Sequence, residues 1–265
     1  MNRPADAVLR TLRTHAEAAA ARAHVPYTQT PEAAVLLLSD GTYVPGVRIE
    51  SATFSLLIPP LLGALTTATA AGRRDVVAAV MPRPLTAEEA LLVRQALDVP
   101  CDTTADGTAL RTTAALPPVG ERLDPRLPGP PAPDEAAGIA RARQIAERAH
   151  VPDSNFPVGC VLETTDGACV PGVNVEHPDW ARILCAERTA LSTALTYGLT
   201  PKRLYLTCLR DTGGSPCGAC RQLLTEHAPD LPVIMDRGEA APEHTTPSRL
   251  LPGAFRGDAL ATPST

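Results

Sequence analysis

The sequence predicts an α/β protein made of two tandem α/β/α sandwich domains, each around a mixed sheet. Three observations predict it. At 265 residues the chain is long enough for two domains of ordinary size, each with its own core. It also repeats itself. His24-Val25-Pro26 returns as His150-Val151-Pro152, and at that fixed offset of 126 residues Arg22–Gly72 and Arg148–Gly198 agree at 20 of 51 positions. Finally, each copy runs helix, strand pair, helix, strand, helix, strand, with Asp-Gly at the turn of the pair.

The elements follow in order. Met1–Leu12 mixes charge with Ala and Leu and reads as an amphipathic helix, without the apolar run of a signal peptide or membrane span. Asp134–Ala149 is its counterpart in the second copy. Val158–Thr164 and Ala168–Val175 form the strand pair around Asp166-Gly167, matched by Asp40-Gly41 in the first copy. Cys185–Tyr197 reads as a helix with Ala186, Ala190 and Ala194 on one face, and Gly198 is a natural stop. Leu204–Cys208 is a strand, Cys217 to about His227 a helix, and Leu231–Met235 a strand. Between the copies lies a Pro-rich stretch from Leu116 to Pro133 that cannot continue a helix or a central strand and should run extended over the surface. The expected division is a first domain at 1–120, a linker at 121–133 and a second domain at 134–265.

Two short stretches carry the chemistry: Cys185-Ala186-Glu187-Arg188 and Pro216-Cys217-Gly218-Ala219-Cys220-Arg221-Gln222. Three thiolates suit an open zinc site that leaves the fourth tetrahedral position free. Glu187, two residues after the first Cys, falls close to that position without needing to bind metal. Cys185 is expected in the first turn of its helix, where the dipole favours a thiolate. Cys217 and Cys220, three apart, share a face of the other helix. Arg188 and Arg221 are cations that offset part of the thiolate charge. A lone Cys-x-x-Cys is weak, but a structural zinc site would want a fourth protein ligand, and none stands at the usual spacing. Cys101, Cys160, Cys169 and Cys208 remain, the last three in apolar surroundings where a buried thiol is ordinary.

With these motifs in register the second copy resembles the nucleoside cytidine deaminases, from Asp134 to about Phe255. Ser154-Asn155-Phe156-Pro157-Val158-Gly159 is similar to that family's approach to its first strand. Asn174-Val175-Glu176 resembles its ribose-binding motif, and Leu250-Leu251-Pro252-Gly253-Ala254-Phe255 its tail. The resemblance implies a deaminase-like sandwich fold and Zn²⁺ on Cys185, Cys217 and Cys220. It implies Glu187 as the proton shuttle of a hydrolytic deamination of cytidine and deoxycytidine. It further implies that Asn174 and Glu176 hold the ribose, with Phe156, the Ala186 backbone and Phe255 also touching substrate. Two departures, Asp153 and His177-Pro178-Asp179-Trp180, lie near the expected pocket mouth. They keep open a deaminase of another aminopyrimidine nucleoside, such as a nucleoside antibiotic. A non-enzymatic zinc scaffold is the reading from a different class.

The first copy lacks the chemistry. At the offset of 126, Pro59 stands opposite Cys185, Leu61 opposite Glu187, Leu62 opposite Arg188 and Arg48 opposite Asn174; only Glu50 survives, opposite Glu176. Ser55–Leu62 is apolar and cannot hold a metal. The arrangement resembles two-domain cytidine deaminases with one degenerate copy, here the first, and implies a homodimer imitating a tetramer, with Phe255 reaching a neighbouring pocket.

Composition narrows the rest. A formal charge of −5, a pI near 5.7 and 3% aromatic residues provide neither the basic stripe nor the stacking surface of a nucleic-acid binder. Seven cysteines, three of them expected on zinc, fit a reducing, cytoplasmic setting better than a disulfide framework. The expected partner is a small nucleoside, with no membrane.

Overall fold

The computed structural model describes residues 3–97, 99–179, 182–257 and 260. The first half contains α1 (Arg3–Ala19), β1 (Ala33–Leu38), β2 (Tyr43–Val47), α2 (Pro60–Ala70), β3 (Val76–Val80), α3 (Ala87–Leu97), β4 (Cys101–Thr103) and β5 (Ala109–Thr112). The second contains α4 (Glu135–Ala146), β6 (Val158–Thr164), β7 (Cys169–Val173), α5 (Ala186–Tyr197), β8 (Pro201–Cys208), α6 (Gly218–His227), β9 (Val233–Met235), β10 (Glu243–Thr245) and α7 (Pro247–Leu250). Met1 and Asn2 of the expected first helix, and Trp180 of the His177–Trp180 departure, lie outside the described residues.

The repeat is visible in the hydrogen bonds. β1 and β2 pair antiparallel with Ala33 opposite Val47, and β6 and β7 with Gly159 opposite Val173, which is the same register displaced by 126 residues. The isolated bridges His24–Ile49 and Ile49–Ile58 recur as His150–Val175 and Val175–Leu184. Gln29 and Asn155, also 126 apart, are the two non-glycine residues with positive φ among those described.

Each half forms a five-stranded sheet, ordered β2-β1-β3-β5-β4 and β7-β6-β8-β9-β10. The second sheet is mixed, since β8 and β9 run parallel. The first is not: all its pairings are antiparallel, so the expectation of mixed sheets holds for one copy. Burial explains the difference. After α6 the chain enters the inner position at once with the buried β9, and the exposed β10 takes the edge. After α3 the chain first meets β4, whose Asp102 and Thr103 are exposed. It therefore goes to the edge, and the more buried β5 folds back beside β3.

Alternation along the strands sorts side chains into layers. Val35 and Leu37 face α1, packing with Leu9, Leu12 and Ala16, whose spacing puts them on one helix face. Val161 and Tyr205 likewise meet Ile139, Ala142 and Ile145 of α4. The other sheet faces share one core. Leu36 and Leu38 of β1, Leu61 and Leu65 of α2, Leu191 and Ala194 of α5, and Leu204 and Leu206 of β8 belong to a single cluster. At its centre the hydroxyls of Thr67 and Thr193, again 126 apart, meet at 2.8 Å.

The Pro-rich stretch bridges the edges of both sheets. The Tyr43 N–H donates to Glu121 O, the Leu123 N–H to Tyr43 O, and the Leu127 N–H to Cys169 O, which covers the otherwise open strands β2 and β7. Among the described residues no helix is long and apolar enough to cross a membrane.

Candidate active site

The three cysteines of the two motifs come together. Cys185 Sγ lies 3.6 Å from Cys217 Sγ, which lies 3.5 Å from Cys220 Sγ, and all three fall within 4.8 Å of one another. Zinc–sulfur bonds of about 2.3 Å in a tetrahedron put sulfurs about 3.8 Å apart, so the donor set fits zinc. Among the described residues this is the one cluster of metal-ligating side chains. Cys185 is the N-cap of α5 (φ −73°, ψ 161°) and Cys217 that of α6, each one position outside the first turn expected for Cys185. The sulfurs still sit at two converging helix N-termini, with Cys220 in the first turn of α6.

Charge explains why a cation belongs there. Hydrogen bonding among the thiols pushes Cys185 up to about 11, by way of Cys217 first, and pushes the buried Cys220 up as well. The same bonds lower Cys217. A bound cation would offset the charge of three thiolates held this close. Arg188 supplies partial compensation. Its Nη2 lies 3.7 Å from Cys185 Sγ and donates to Ile183 O at 3.0 Å. Arg221, expected to help, is engaged elsewhere: it donates to Pro216 O, Leu250 O and Ser215 Oγ, fixing the loop before Cys217 to the C-terminal turn.

Glu187 lies in the first turn of α5, only 4% exposed, with Oε2 3.4 Å from Cys220 Sγ. Burial pushes its carboxyl pKa up, with the Cys217 charge adding to the effect. A carboxyl so placed holds a proton more readily than an exposed one. Ala186 beside it is fully buried. Its carbonyl lies so close to β7 that a Cβ on Gly172 would meet it at 2.2 Å.

Asn174 and Glu176 flank Val175, which bridges to Leu184 just ahead of Cys185, and both bond the backbone. Asn174 Oδ1 accepts from the Val158 N–H at 2.8 Å, and its Nδ2 donates to Phe156 O at 2.9 Å. Glu176 Oε2 accepts from the N–H groups of Asp153 and Ser154 at 2.9 and 3.2 Å. Glu50 makes the same two bonds, to Tyr27 and Thr28, in the half without cysteines. The surviving Glu therefore holds this loop in both copies. Phe156 is half-buried at the start of β6. Phe255 is 51% exposed, and its carbonyl accepts from Gln222 Nε2 of α6 at 2.7 Å.

Two contributors lie outside the motif pattern. Glu226 of α6 accepts from Ser51 Oγ at 2.8 Å and from the Ala52 N–H at 2.9 Å, and also from Gln222. The first half is thereby tied to the helix that carries Cys220, and Phe54, 88% exposed, follows that anchored loop. Where Asn174 sits in the second half, the first has Arg48 paired with Glu50 and Glu32, and Arg83 pairs with Glu32 and Glu89. Ion pairs occupy that half's former site.

Comparison with known proteins agrees with the geometry. A model of the cytidine and deoxycytidylate deaminase zinc-binding region matches residues 134–235, and a second model of that region matches residues 2–96. The cytidine deaminase of Sporosarcina psychrophila is 40% identical over 126 residues, covering 46% of this chain and 92% of that protein. The chain belongs to the cytidine deaminase family. A second member, the cytidine deaminase of Halalkalibacterium halodurans, is 38% identical over 123 residues, covering 45% of this chain and 92% of its own. The crystal structure of cytidine deaminase from Burkholderia pseudomallei shares 38% identity and covers 45% of this chain and 98% of that one, with a TM-score of 0.43. As a cytidine deaminase family member the chain carries the zinc-binding region twice, once with its cysteines and once without.

Proposed function

We propose that the chain hydrolyses cytidine and deoxycytidine to uridine and deoxyuridine, with release of ammonia, at the site built by Cys185, Glu187, Cys217 and Cys220. The observation that carries this is the buried Glu187 carboxyl 3.4 Å from one sulfur of a three-thiol cluster with zinc dimensions. Zinc held by the three sulfurs would acidify water enough to supply a nucleophile at neutral pH. Glu187 takes the proton of the attacking water and passes it to N3 of the base, which makes C4 more electrophilic. It then takes the remaining proton from the hydroxyl now on C4 and delivers it to the amine, which leaves as ammonia while the C4 carbonyl forms. The raised pKa of Glu187 suits a group that must hold a proton between these steps.

The finer assignments belong to the same proposal. Asn174 and Glu176 present their remaining acceptor and donor capacity to the ribose, while Phe156 and the Ala186 backbone line the base. Phe255, exposed in one chain, stacks on a base in a partner's pocket. Two chains form a homodimer with one zinc each, acting in pyrimidine salvage in the cytoplasm. Loss of cytidine absorbance on adding the purified, zinc-loaded protein tests the activity directly. Sedimentation and metal analysis test the assembly: a monomer, or a metal content other than one per chain, would sink that part.

A further inference from the structure

Helix α6 carries a buried polar relay next to Cys220. Gln222, two residues further on and 7% exposed, donates from Nε2 to Glu226 Oε1 at 2.6 Å and to Phe255 O at 2.7 Å. An amide nitrogen has two N–H donors, so both are engaged, and because both partners accept, the amide has one orientation. Glu226 accepts on the same oxygen from the Ser51 hydroxyl at 2.8 Å and on the other from the Ala52 N–H at 2.9 Å. Ser51 and Ala52 belong to the first half and are buried. One carboxylate thus gathers donors from both halves, and hydrogen bonds to a charged group are the stronger kind.

The relay ends on the segment that carries Phe255. Arg221 holds the start of that segment at Leu250 O, and Gln222 holds it at Phe255 O. The first half also meets it directly. A Cβ on Gly257 would lie 2.7 Å from Tyr27 Cζ, so the backbone there rests against the Tyr27 ring, and the Tyr27 N–H is itself held by Glu50. With the Phe255 ring 51% exposed, the backbone contacts on either side are what hold it.

The clasp is one-sided. At the matching corner His177 and Pro178 stand in the places of Ser51 and Ala52, and among the described residues neither makes a hydrogen bond to α3.

We propose that the first half positions Phe255: Ser51 and Ala52 act through Glu226 and Gln222 on the Phe255 carbonyl, while Tyr27 seats Gly257. Ser51, Glu226 and Gln222 are positioning residues, and the half without cysteines sets where the aromatic ring stands. The consequence for substrate rests on the reading of Phe255 as a base-stacking group; the relay does not.

Limited chymotrypsin digestion of the full-length, zinc-loaded protein reads the relay apart from activity. Phe54, three residues past Ser51, and Phe255 are both exposed, and cleavage after each reports how often its segment opens. Glu226→Met keeps the side-chain length, removes both acceptors, and should speed cleavage at both residues about fivefold, the worth of one ordinary hydrogen bond. Gln222→Met should speed cleavage at Phe255 and leave Phe54 at the wild-type rate. Ser51→Ala, at a residue that bonds neither Gln222 nor Phe255, should speed both, and it carries the test alone if Glu226→Met does not fold. In each variant that opens Phe255, KM for cytidine should rise with kcat and zinc stoichiometry unchanged. Cleavage at Phe255 within about twofold of wild type in folded Glu226→Met overturns the proposal. So does a Ser51→Ala variant that opens Phe54 alone. Faster cleavage at Phe255 with an unchanged KM upholds the relay and removes Phe255 from the substrate, so the two readings fail separately.

Discussion

Gly172→Ala is a small perturbation with a large expected consequence. Gly172 lies in β7 under the first turn of α5, and an added Cβ would meet Ala186 O at 2.2 Å, Cys160 Sγ at 2.7 Å and the Ala190 Cβ at 2.8 Å. Separations under 3.0 Å force something to shift, and here the obstacle is helix backbone. Helix α5 must retreat from the sheet by about 1 Å, a displacement that can cost a hundredfold in rate when it separates reacting groups. Cys185 and Glu187 flank Ala186 and move with it. Overpacking adds a stability loss of about 1–3 kcal/mol, which is several degrees in Tm at this chain length.

The repeat supplies the control. Gly46 occupies the matching place in β2, where a Cβ would meet Pro60 O at 2.2 Å and Ala64 N at 2.5 Å under a helix that carries no cysteine. Gly46→Ala should therefore cost similar stability while sparing the metal. The assays are thermal melts with and without zinc, zinc affinity by chelator competition, and kcat for cytidine. Gly172→Ala should lose zinc affinity and about a hundredfold in kcat; Gly46→Ala should lose neither. If the two variants agree in kcat and zinc affinity to within about threefold, under about 1 kcal/mol, Gly172 does not set the depth of the site.

Other outcomes are equally open to measurement. Glu187→Gln should retain zinc at wild-type stoichiometry and lose about 10²–10⁴ in kcat; substantial turnover would remove Glu187 as the shuttle. Thr193 Oγ1 donates to Thr189 O, so it is Thr67 that donates across to Thr193. In urea titrations Thr193→Val, which strands the Thr67 hydroxyl, should cost about 1–3 kcal/mol and more than Thr67→Val, with the double mutant below the sum. Asp236 is held down to about 2 from 3.8, first by its hydrogen bonds with Arg143 and despite burial, so its contribution to stability is full above about pH 4 and is lost as pH falls towards 2. Asp236→Asn should lower the Tm at neutral pH, and its deficit against wild type should shrink over that acid window.

What the sequence made legible was local or repeated. The offset of 126 carries the strand register, the bridges beside it and the helix after it, because each is fixed by residues a few positions apart. The cysteines were legible because their spacing is set by two helix N-termini, although neither motif showed that Cys185 and Cys217 cap their helices instead of lying inside them. Past Gly72 the two copies diverge, and with them the sheet order. Whether β4 or β5 lies inside depends on which buries more surface, a competition that no spacing records. Long-range side-chain partners were equally hidden. Nothing near Glu226 in sequence announces Ser51 and Ala52, and nothing near Asn174 announces that its amide is spent on Phe156 and Val158.

The fate of the two glutamates shows what the first half is for. A copy relieved of catalysis would be free to lose Glu50 if that residue served substrate alone, yet Glu50 still bonds Tyr27 and Thr28 as Glu176 bonds Asp153 and Ser154. The bond holds the loop ahead of the first strand of the pair, so it belongs to the fold before it belongs to the chemistry. Cys185 and Glu187 have no such duty, and their places went to Pro59 and Leu61; Asn174, which also bonds this loop at Phe156 and Val158, gave way to Arg48, which pairs with Glu50. The apolar replacements gained a use instead. Leu61 and Leu62 enter the core shared with Leu191 and Leu223 of the second half, and burial of such side chains is favourable at about 25 cal/mol per Å². The first half thus presents an apolar face where the second holds its cysteines, and the helix that follows Cys185 packs against it.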